Sequence, residues 1–308
     1  MLDAASNQTT TVNTATIDDQ INDVKSLRNH QPLNRRGFMA TTIGVGFAAA
    51  TLPVAAQTMI KTDTAGLRSG EINLVGRDGY NFAAYIAAPE GKTNLPVVIV
   101  VQEIFGVHEH IADVCRRFAK LGYMAIAPEY FSRQGNPKTY TDIPKLQADI
   151  VSKVPDAQVM ADTDVAVAWA AANGGSDRVA MTGFCWGGRI SWLYAAHNPK
   201  LKASVAWYGR LEGAASANFP KHPIELAGAM NCPVLGLYGG ADTGIPVASV
   251  DKMTEALKAA GNKKGSSFQI YDQAPHAFHA DYRASYRKDA AEDGWKRCLA
   301  WFKANGVA

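Results

Sequence analysis

From about residue 68, the apolar residues of this 308-residue chain recur with two different spacings. Continuous apolar runs and period-two alternation predict strands, whereas recurrence every three or four residues predicts helices. The run at 95–101 is typical of a strand buried on both faces. The predicted strands lie at 71–77, 81–89, 95–101, 123–128, 178–185, 203–207, 233–238 and 268–271. The predicted helices lie at 111–121, 159–172, 187–197, 247–260 and 290–304.

Strands that alternate with helices form a mostly parallel sheet with helices on both faces. We therefore predict one α/β domain over residues 57–308, with a central sheet of about eight strands. The first two strands are expected to form a hairpin around 78–80, and the polar stretch at 133–158 is expected to be irregular. In sheets of this kind, functional sites lie at the carboxyl ends of the strands.

The first 56 residues are not expected to belong to this fold. Residues 1–30 are polar and lack apolar periodicity, which predicts disorder. Paired arginines at 35–36 precede an uncharged segment at 40–56, a pattern typical of a twin-arginine export signal with cleavage before Gln57. The alternatives are a weak membrane anchor or an ordinary amphipathic helix. Because the apolar segment is short and rich in Ala, Gly and Thr, we expect export to the periplasm or beyond rather than stable membrane insertion.

Charge and cysteine content exclude several other function classes. The formal charge is only +3 and its Lys and Arg residues are spread along the chain, which argues against a nucleic-acid partner. No Cys-x-x-Cys pair occurs, and the four cysteines suit neither a zinc site nor a disulfide scaffold. Cys115, Cys232 and Cys298 are expected to be core residues. No cofactor motif is present, so we expect a small-molecule substrate and no cofactor or metal.

The fourth cysteine lies in a motif with catalytic meaning. Residues 183–188 read Gly-Phe-Cys-Trp-Gly-Gly and separate a predicted strand from a predicted helix. A Gly-x-nucleophile-x-Gly sequence in this context is the nucleophile elbow of α/β-hydrolases. The glycines permit a sharp turn, and the helix directs its N-terminus at the reaction centre. The motif predicts an α/β-hydrolase fold with Cys185 as its nucleophile.

Two later residues complete a candidate triad in the chain order that this fold requires. Asp242 follows the predicted strand at 233–238, and His276 follows the last predicted strand. Taken singly, Asp242 could be a turn or cap residue, His276 an ordinary loop histidine and Cys185 a buried small hydrophobe. Together they favour a thiol that is deprotonated by His276, because a free thiol has a pKa of about 8.5. Asp242 would orient the imidazole and stabilise its protonated form.

These motifs, with Gln-Glu-Ile-Phe-Gly at 102–106, make the chain resemble the dienelactone hydrolase (carboxymethylenebutenolidase) family over roughly residues 70–305. An arginine and glutamine at 133–134, which follow Pro-Glu-Tyr at 128–130, also match a family segment. The resemblance implies a hydrolase that cleaves a lactone or carboxylic ester through a Cys-His-Asp triad and an acyl-enzyme.

The resemblance also implies roles for residues outside the triad. Glu103 would contact the neutral resting thiol and help to generate the thiolate once substrate displaces its carboxylate. The backbone N–H groups of Ile104 and Trp186 would form the oxyanion hole. Arg133 would bind a substrate carboxylate, since guanidinium suits bidentate recognition of that group. Tyr208, after a strand end, is expected either to line the pocket or simply to pack.

One departure from the family pattern leaves the substrate open. The family carries a second arginine four residues after the catalytic histidine, where this chain has Ala280; Arg283 lies nearby. The alternatives are therefore a broad-specificity carboxylesterase or a non-catalytic binding protein on a hydrolase scaffold. The His-Glu-His sequence at 108–110 lacks a third ligand for a metal site. His279 follows His276 so closely that the loop is expected to present only one of them to the nucleophile.

Overall fold

The computed structural model describes residues 59–308, so the predicted export signal and the polar segment before it lie outside the described residues. Eight strands form one sheet in this part of the chain. The strands are β1 (Leu67–Val75), β2 (Asn81–Pro89), β3 (Leu95–Val101), β4 (Met124–Pro128), β5 (Gly175–Phe184), β6 (Ala203–Trp207), β7 (Val234–Gly239) and β8 (Ser267–Tyr271).

The strand order across the sheet is β1-β2-β4-β3-β5-β6-β7-β8. The pairs β1–β2 and β2–β4 are antiparallel, and all the other neighbouring pairs are parallel. From β3 the chain proceeds to β4 on one side and later to β5 on the other, which opens a crevice at the carboxyl ends of the strands. The predicted mostly parallel sheet of about eight strands is confirmed.

Helices cover both faces of the sheet. Side chains of β3 alternate between two apolar clusters, with Ile99 in one and Val98 in the other. Phe118 and Phe302 pack in the cluster that contains Val98, whereas Ile190 packs in the cluster that contains Ile99. The helices of the described residues are α1 (Glu109–Lys120), α2 (Ile143–Asp149), α3 (Asp156–Ala172), α4 (Trp186–His197), α5 (Val247–Ala259) and α6 (Lys288–Ala304).

The stretch at 133–158 is more ordered than its sequence predicts. It contains α2 and two short 3₁₀ turns, so the expectation of an irregular loop is wrong there. The side chain of Asp142 caps α2 by accepting a hydrogen bond from the N–H of Lys145. A helix of only seven residues shows too few turns for its periodicity to stand out.

The three cysteines predicted to be structural are buried. Cys115 and Cys298 are fully enclosed, and Cys232 is 2% exposed. Burial raises the pKa of the Cys232 thiol to about 12 and the pKa values of the other two still further from their ordinary range. None of these three thiols is therefore suited to be a nucleophile near neutral pH. Within residues 59–308, no helix combines the length and apolar character needed to cross a membrane.

Candidate active site

Cys185 stands at a sharp turn between β5 and α4. Its φ is +57° and its ψ is −112°, a conformation that a residue with a side chain rarely adopts. The Cys185 N–H donates to the carbonyl oxygen of Trp207 at 3.0 Å, which holds the turn against β6. A methyl group on Gly183 would lie 2.2 Å from the carbonyl oxygen of Gly187, so only glycine fits there. The thiol is partly exposed to solvent.

The first turn of α4 packs against the end of β3. A methyl group on Gly187 would come within 2.5 Å of the carbonyl oxygen of Val101 and 2.6 Å of that of Gln102. This close approach brings Trp186 beside the segment that carries Ile104. Trp186 is the first residue of α4, so its N–H has no acceptor within the helix. In the described chain, the N–H of Ile104 has no backbone acceptor either. Among the described residues, neither predicted oxyanion donor is therefore committed to a backbone acceptor.

His276 and Asp242 form a hydrogen-bonded pair. The Nδ1 of His276 lies 2.7 Å from Oδ2 of Asp242, whose side chain is fully buried. The other carboxylate oxygen accepts the N–H groups of Gly244 and Ile245 at 2.9 and 3.0 Å, which fixes its orientation. Such a carboxylate holds a histidine in the tautomer that leaves Nε2 available as a base. The geometry brings together the two residues that the sequence assigns to these roles.

The charge of His276 responds to both of its neighbours. Burial alone would lower the pKa of His276, but its neighbours Asp242 and Cys185 raise it well above its ordinary value. Nε2 of His276 is enclosed and has no hydrogen-bond partner at contact distance among the described residues. Cys185 nevertheless contributes to the raised pKa of His276, so the two side chains are close, and contacts of this kind tighten when substrate binds.

Glu103 lies just past β3, and only 1% of it is exposed. Its Oε2 accepts a hydrogen bond from the hydroxyl of Tyr282 at 2.6 Å and lies 3.4 Å from Nε2 of His108. Burial would raise the pKa of the Glu103 carboxyl, but His108 and the positive charge of Arg283 hold it well below its ordinary value. An ionised carboxylate therefore lies buried beside the predicted oxyanion donor Ile104.

Tyr208 follows β6 and is fully buried, with a φ of +39°. Its ring meets the ring of His276 edge-on, with the centroids 5.0 Å apart. Its hydroxyl is enclosed and has no hydrogen-bond partner among the described residues. Burial and then the charges of Glu103 and Cys185 raise the pKa of this phenol far above its ordinary value. Tyr208 thus presents a neutral O–H group close to the candidate catalytic residues.

Two arginines have different surroundings. Arg133 donates to both carboxylate oxygens of Asp78, at 2.9 Å each, and to both of Asp162, at 2.6 and 3.0 Å. Two carboxylates of the protein occupy its donors, which favours a structural role; its predicted binding of a substrate carboxylate stays a prediction. Arg283 is 7% exposed and lies 3.9 Å from Glu103. Arg283 therefore lies next to the candidate site, which its sequence position alone did not establish.

The histidines outside the triad have other partners. His110 hydrogen bonds to Asp281 at 3.1 Å, and His108 lies beside Glu103. Among residues 59–308, no group of side chains is arranged to hold a metal ion. His279 is stacked on Phe184, with ring centroids 4.9 Å apart, and burial lowers its pKa well below the ordinary value. The loop after β8 thus presents His276, and not His279, to Asp242.

Trp186 directly follows Cys185, and its side chain packs against two aromatic rings. Its half-buried ring packs edge-on against Phe131, with centroids 4.8 Å apart, and lies tilted against Tyr130, with centroids 5.9 Å apart. Tyr282 lies in no sequence motif that would mark it as a site residue. Its partner Glu103 is 179 residues away along the chain, and no motif links the two positions.

Comparison with known proteins identifies related sequences and structures. The sequence profile of the dienelactone hydrolase family matches residues 82–306. A protein of Methylorubrum extorquens, provisionally named a carboxymethylenebutenolidase, is 57% identical over 288 residues, which cover 93% of this chain and 98% of that protein. A protein of Salmonella typhimurium with the same provisional name is 54% identical over 87% of this chain and 98% of its own length. The crystal structure of a Klebsiella pneumoniae protein, provisionally named a dienelactone hydrolase, is 56% identical and has a TM-score of 0.75, with coverage of 77% of this chain and 98% of that chain.

Proposed function

Because this chain belongs to the dienelactone hydrolase family, whose members are hydrolases acting on lactone and ester bonds, we propose that it cleaves such a bond with Cys185 as the nucleophile. The observation that carries the proposal is the position of Cys185 at a strained elbow beside the His276–Asp242 pair. The order of these three residues along the chain is the one found in α/β-hydrolases.

The proposed reaction has two halves. His276 takes the thiol proton, and the sulfur of Cys185 attacks the carbonyl carbon of the substrate. The N–H groups of Ile104 and Trp186 stabilise the oxyanion that forms. As the tetrahedral intermediate collapses, the ester C–O bond breaks and His276 protonates the departing oxygen. A water molecule then gives a proton to His276 and attacks the thioester, which releases the acid and returns the proton to Cys185.

Glu103 has the role of controlling the thiol before substrate arrives. In this proposal its carboxylate accepts a hydrogen bond from the neutral resting thiol, and substrate binding displaces the carboxylate so that the thiol passes its proton to His276 and becomes the thiolate. A neutral thiol resists oxidation, which would benefit an exported protein. The buried and ionised state of Glu103 supports this role.

The proposed substrate is a lactone or ester that carries its own carboxylate. Arg283 supports this choice, because its guanidinium lies within reach of Glu103 and 5.6 Å from the centre of the Phe105 ring. The family's second arginine is replaced by Ala280, which favours a broad-specificity carboxylesterase as the alternative. Rates on matched ester pairs, one carboxylated and one neutral, separate the two. No preference within the pairs would favour the broad esterase.

The nucleophile is tested by Cys185→Ala, assayed on a small activated ester and on an enol-lactone. We expect kcat/KM to fall by at least about 10³-fold, because no other group attacks the carbonyl. The matched control is Cys232→Ala, which removes a buried cysteine that lies outside the candidate site. Retained turnover in Cys185→Ala would reject the proposed mechanism.

We also propose that the chain is exported through the twin-arginine route. The paired arginines at 35–36 support this proposal. The alignment with the Methylorubrum protein covers 93% of this chain and so includes part of the segment before residue 59. Replacing both arginines by lysine should keep the protein in the cytoplasmic fraction, whereas the unchanged chain should reach the periplasm. An unaltered distribution would contradict the proposal.

A further inference from the structure

Three consecutive residues of the loop after His276 are buried against α1 and against the segment that follows β3. Asp281, Tyr282 and Arg283 are 1%, 3% and 7% exposed. Asp281 accepts hydrogen bonds from His110 and Arg117 of α1. The neighbouring Tyr282 and Arg283 both face Glu103, so this short segment joins the histidine loop to the end of β3.

The contact between Tyr282 and Glu103 is the closest of those that surround this carboxylate. The Tyr282 hydroxyl donates to Oε2 at 2.6 Å, whereas the nearest nitrogens of His108 and Arg283 lie at 3.4 and 3.9 Å. Oε1 of Glu103 is enclosed and accepts no hydrogen bond from the described residues. A buried carboxylate with so few donors depends strongly on each of them.

We propose that Tyr282 is the positioning residue for Glu103: its hydroxyl fixes the carboxylate beside the reaction centre and ties the oxyanion-donor segment to the loop that carries His276. This inference rests on the proposed function, because it gives Glu103 its importance. It extends that function, since it assigns a role to a residue that neither the sequence motifs nor the relatives' names identify.

The position of Tyr282 allows it to influence two parts of the proposed catalytic site, the oxyanion donor Ile104 and the base His276. Glu103 directly precedes Ile104, so a displaced carboxylate would also disturb the predicted oxyanion donor. Tyr282 follows His276 by six residues in one loop. One hydrogen bond between side chains therefore couples the base and the oxyanion donor, which lie far apart in sequence. Catalytic groups need this kind of support, because small displacements are costly to rate.

A hydroxyl that donates a hydrogen bond to a carboxylate, as that of Tyr282 does to Glu103, favours the ionised form of the acid. Burial raises the pKa of this carboxyl, and the groups around it oppose that effect. Removal of one donor to a buried charged group shifts its ionisation equilibrium by about one to two pH units. The shift is toward higher pH, since the ionised form loses a partner. The titratable groups that face Glu103 are Tyr282, Arg283 and His279 from the histidine loop, His108 and His110 at the start of α1, and Tyr208 after β6.

The test compares Tyr282→Phe with Tyr194→Phe. Tyr194 is also a buried tyrosine that donates to a carboxylate, that of Asp164 at 3.0 Å, but it lies more than two helical turns beyond Cys185 in α4. In protein labelled at its glutamate carboxyl carbons, the Glu103 signal, identified by its loss in Glu103→Gln, should titrate about one to two pH units higher in Tyr282→Phe only. This readout requires no turnover, so it decides the inference even if no ester is hydrolysed.

Kinetics provide the second readout. On a substrate that the unchanged protein hydrolyses, Tyr282→Phe should lower kcat/KM by about tenfold. In a Glu103→Gln background the same change should cost no more than about twofold, because the carboxylate on which it acts is gone. An equal loss in both backgrounds, or a titration that matches Tyr194→Phe, would overturn the inference. If Tyr282→Phe fails to fold, Tyr282→Met removes the hydroxyl while a flexible side chain fills the space, and the same criteria apply.

Discussion

At the scale of single residues, the candidate nucleophile holds an uncommon backbone conformation. Cys185 has a φ of +57° although it carries a side chain, and such a conformation costs about 1–3 kcal/mol. The surrounding contacts of Gly183 and the hydrogen bond to Trp207 keep it in place. The strained turn places Cys185 directly after β5, where the residue is partly exposed.

This strain gives a stability prediction. Cys185→Gly should be about 1 kcal/mol more stable than Cys185→Ala, because glycine adopts a positive φ without a steric penalty. The midpoints of urea unfolding measure the difference. Equal midpoints for the two variants would mean that the turn stores no strain.

The carboxylate of the predicted triad can be tested without a change of shape. In Asp242→Asn, the carboxylate that raises the pKa of His276 is lost, and the imidazole loses its orienting acceptor. We expect kcat to fall by about 10²- to 10⁴-fold, with the pKa of His276 lowered, since burial alone lowers it. Rates between pH 6 and 9 and a histidine titration by NMR provide the measurement. The exposed Asp251 in α5 supplies the control Asp251→Asn, and comparable losses in both variants would contradict this role.

Arg133 is expected to act on stability more than on substrate choice. Arg133→Gln leaves the 2%-exposed Asp162 without its cationic partner, which should cost about 3 kcal/mol of unfolding free energy. The preference for carboxylated over neutral esters should change by no more than about twofold. Urea unfolding and paired ester kinetics measure the two effects. Unchanged stability with a lost preference would show that Arg133 binds substrate instead.

At the scale of structural elements, the loop after β8 is held against α1 by a buried ion pair. Burial alone would raise the pKa of Asp281, but the combined effect of His110 and Arg117 outweighs burial and lowers the pKa to about 2, from an ordinary 3.8. The folded state therefore gains stability from this carboxylate above pH about 4, and the gain is lost as the pH falls toward 2. The shift corresponds to about 2 kcal/mol at neutral pH.

Asp281→Asn should reveal that contribution. We expect unfolding free energy to fall by about 2 kcal/mol at pH 7 and the difference from the unchanged protein to shrink below pH 4. Urea unfolding at pH 7, 5 and 3 tests this, with the exposed Asp177→Asn as the control that should show no change. A difference that is constant over this pH range would indicate that lost packing, not charge, accounts for the effect.

Elements differed in how far the sequence could predict them. β2, β3 and β6 have the predicted bounds, because most of their residues are apolar and each run is flanked by more polar residues or loops. The seven-residue α2 escaped prediction, since its stability comes from the cap at Asp142 and from burial of Ile143 and Leu146 rather than from a long amphipathic pattern. Tertiary contact, not local propensity, decides such short helices.

At the scale of the whole molecule, the fold followed from the alternation of strands and helices. The candidate site could be proposed from the sequence where it depends on a local motif, as at Cys185, or on a position after a strand, as at Asp242 and His276. It was not predictable where contacts join distant loops. Tyr282 donates a hydrogen bond to Glu103, and Arg133 donates hydrogen bonds to Asp78 and Asp162. These contacts join residues that are far apart in the chain, and they leave no periodic signal in the sequence.

The segment before the described residues should be dispensable for the fold. The solved Klebsiella relative is covered over 98% of its length by 77% of this chain. We therefore predict that residues 57–308 fold without the segment before them. A chain that begins at Gln57 should keep its thermal midpoint and its kcat/KM within about twofold of the full chain. Loss of folding in the shortened chain would show that the first 56 residues contribute to the domain.

The most direct test of covalent catalysis by Cys185 is intact-protein mass spectrometry after rapid acid quench of a reaction with a slowly hydrolysed ester. We expect the mass to rise by that of one acyl group, with peptide mapping locating the group on Cys185, and no adduct in Cys185→Ala. Turnover with an unmodified Cys185, or an acyl group on another residue, would contradict the account.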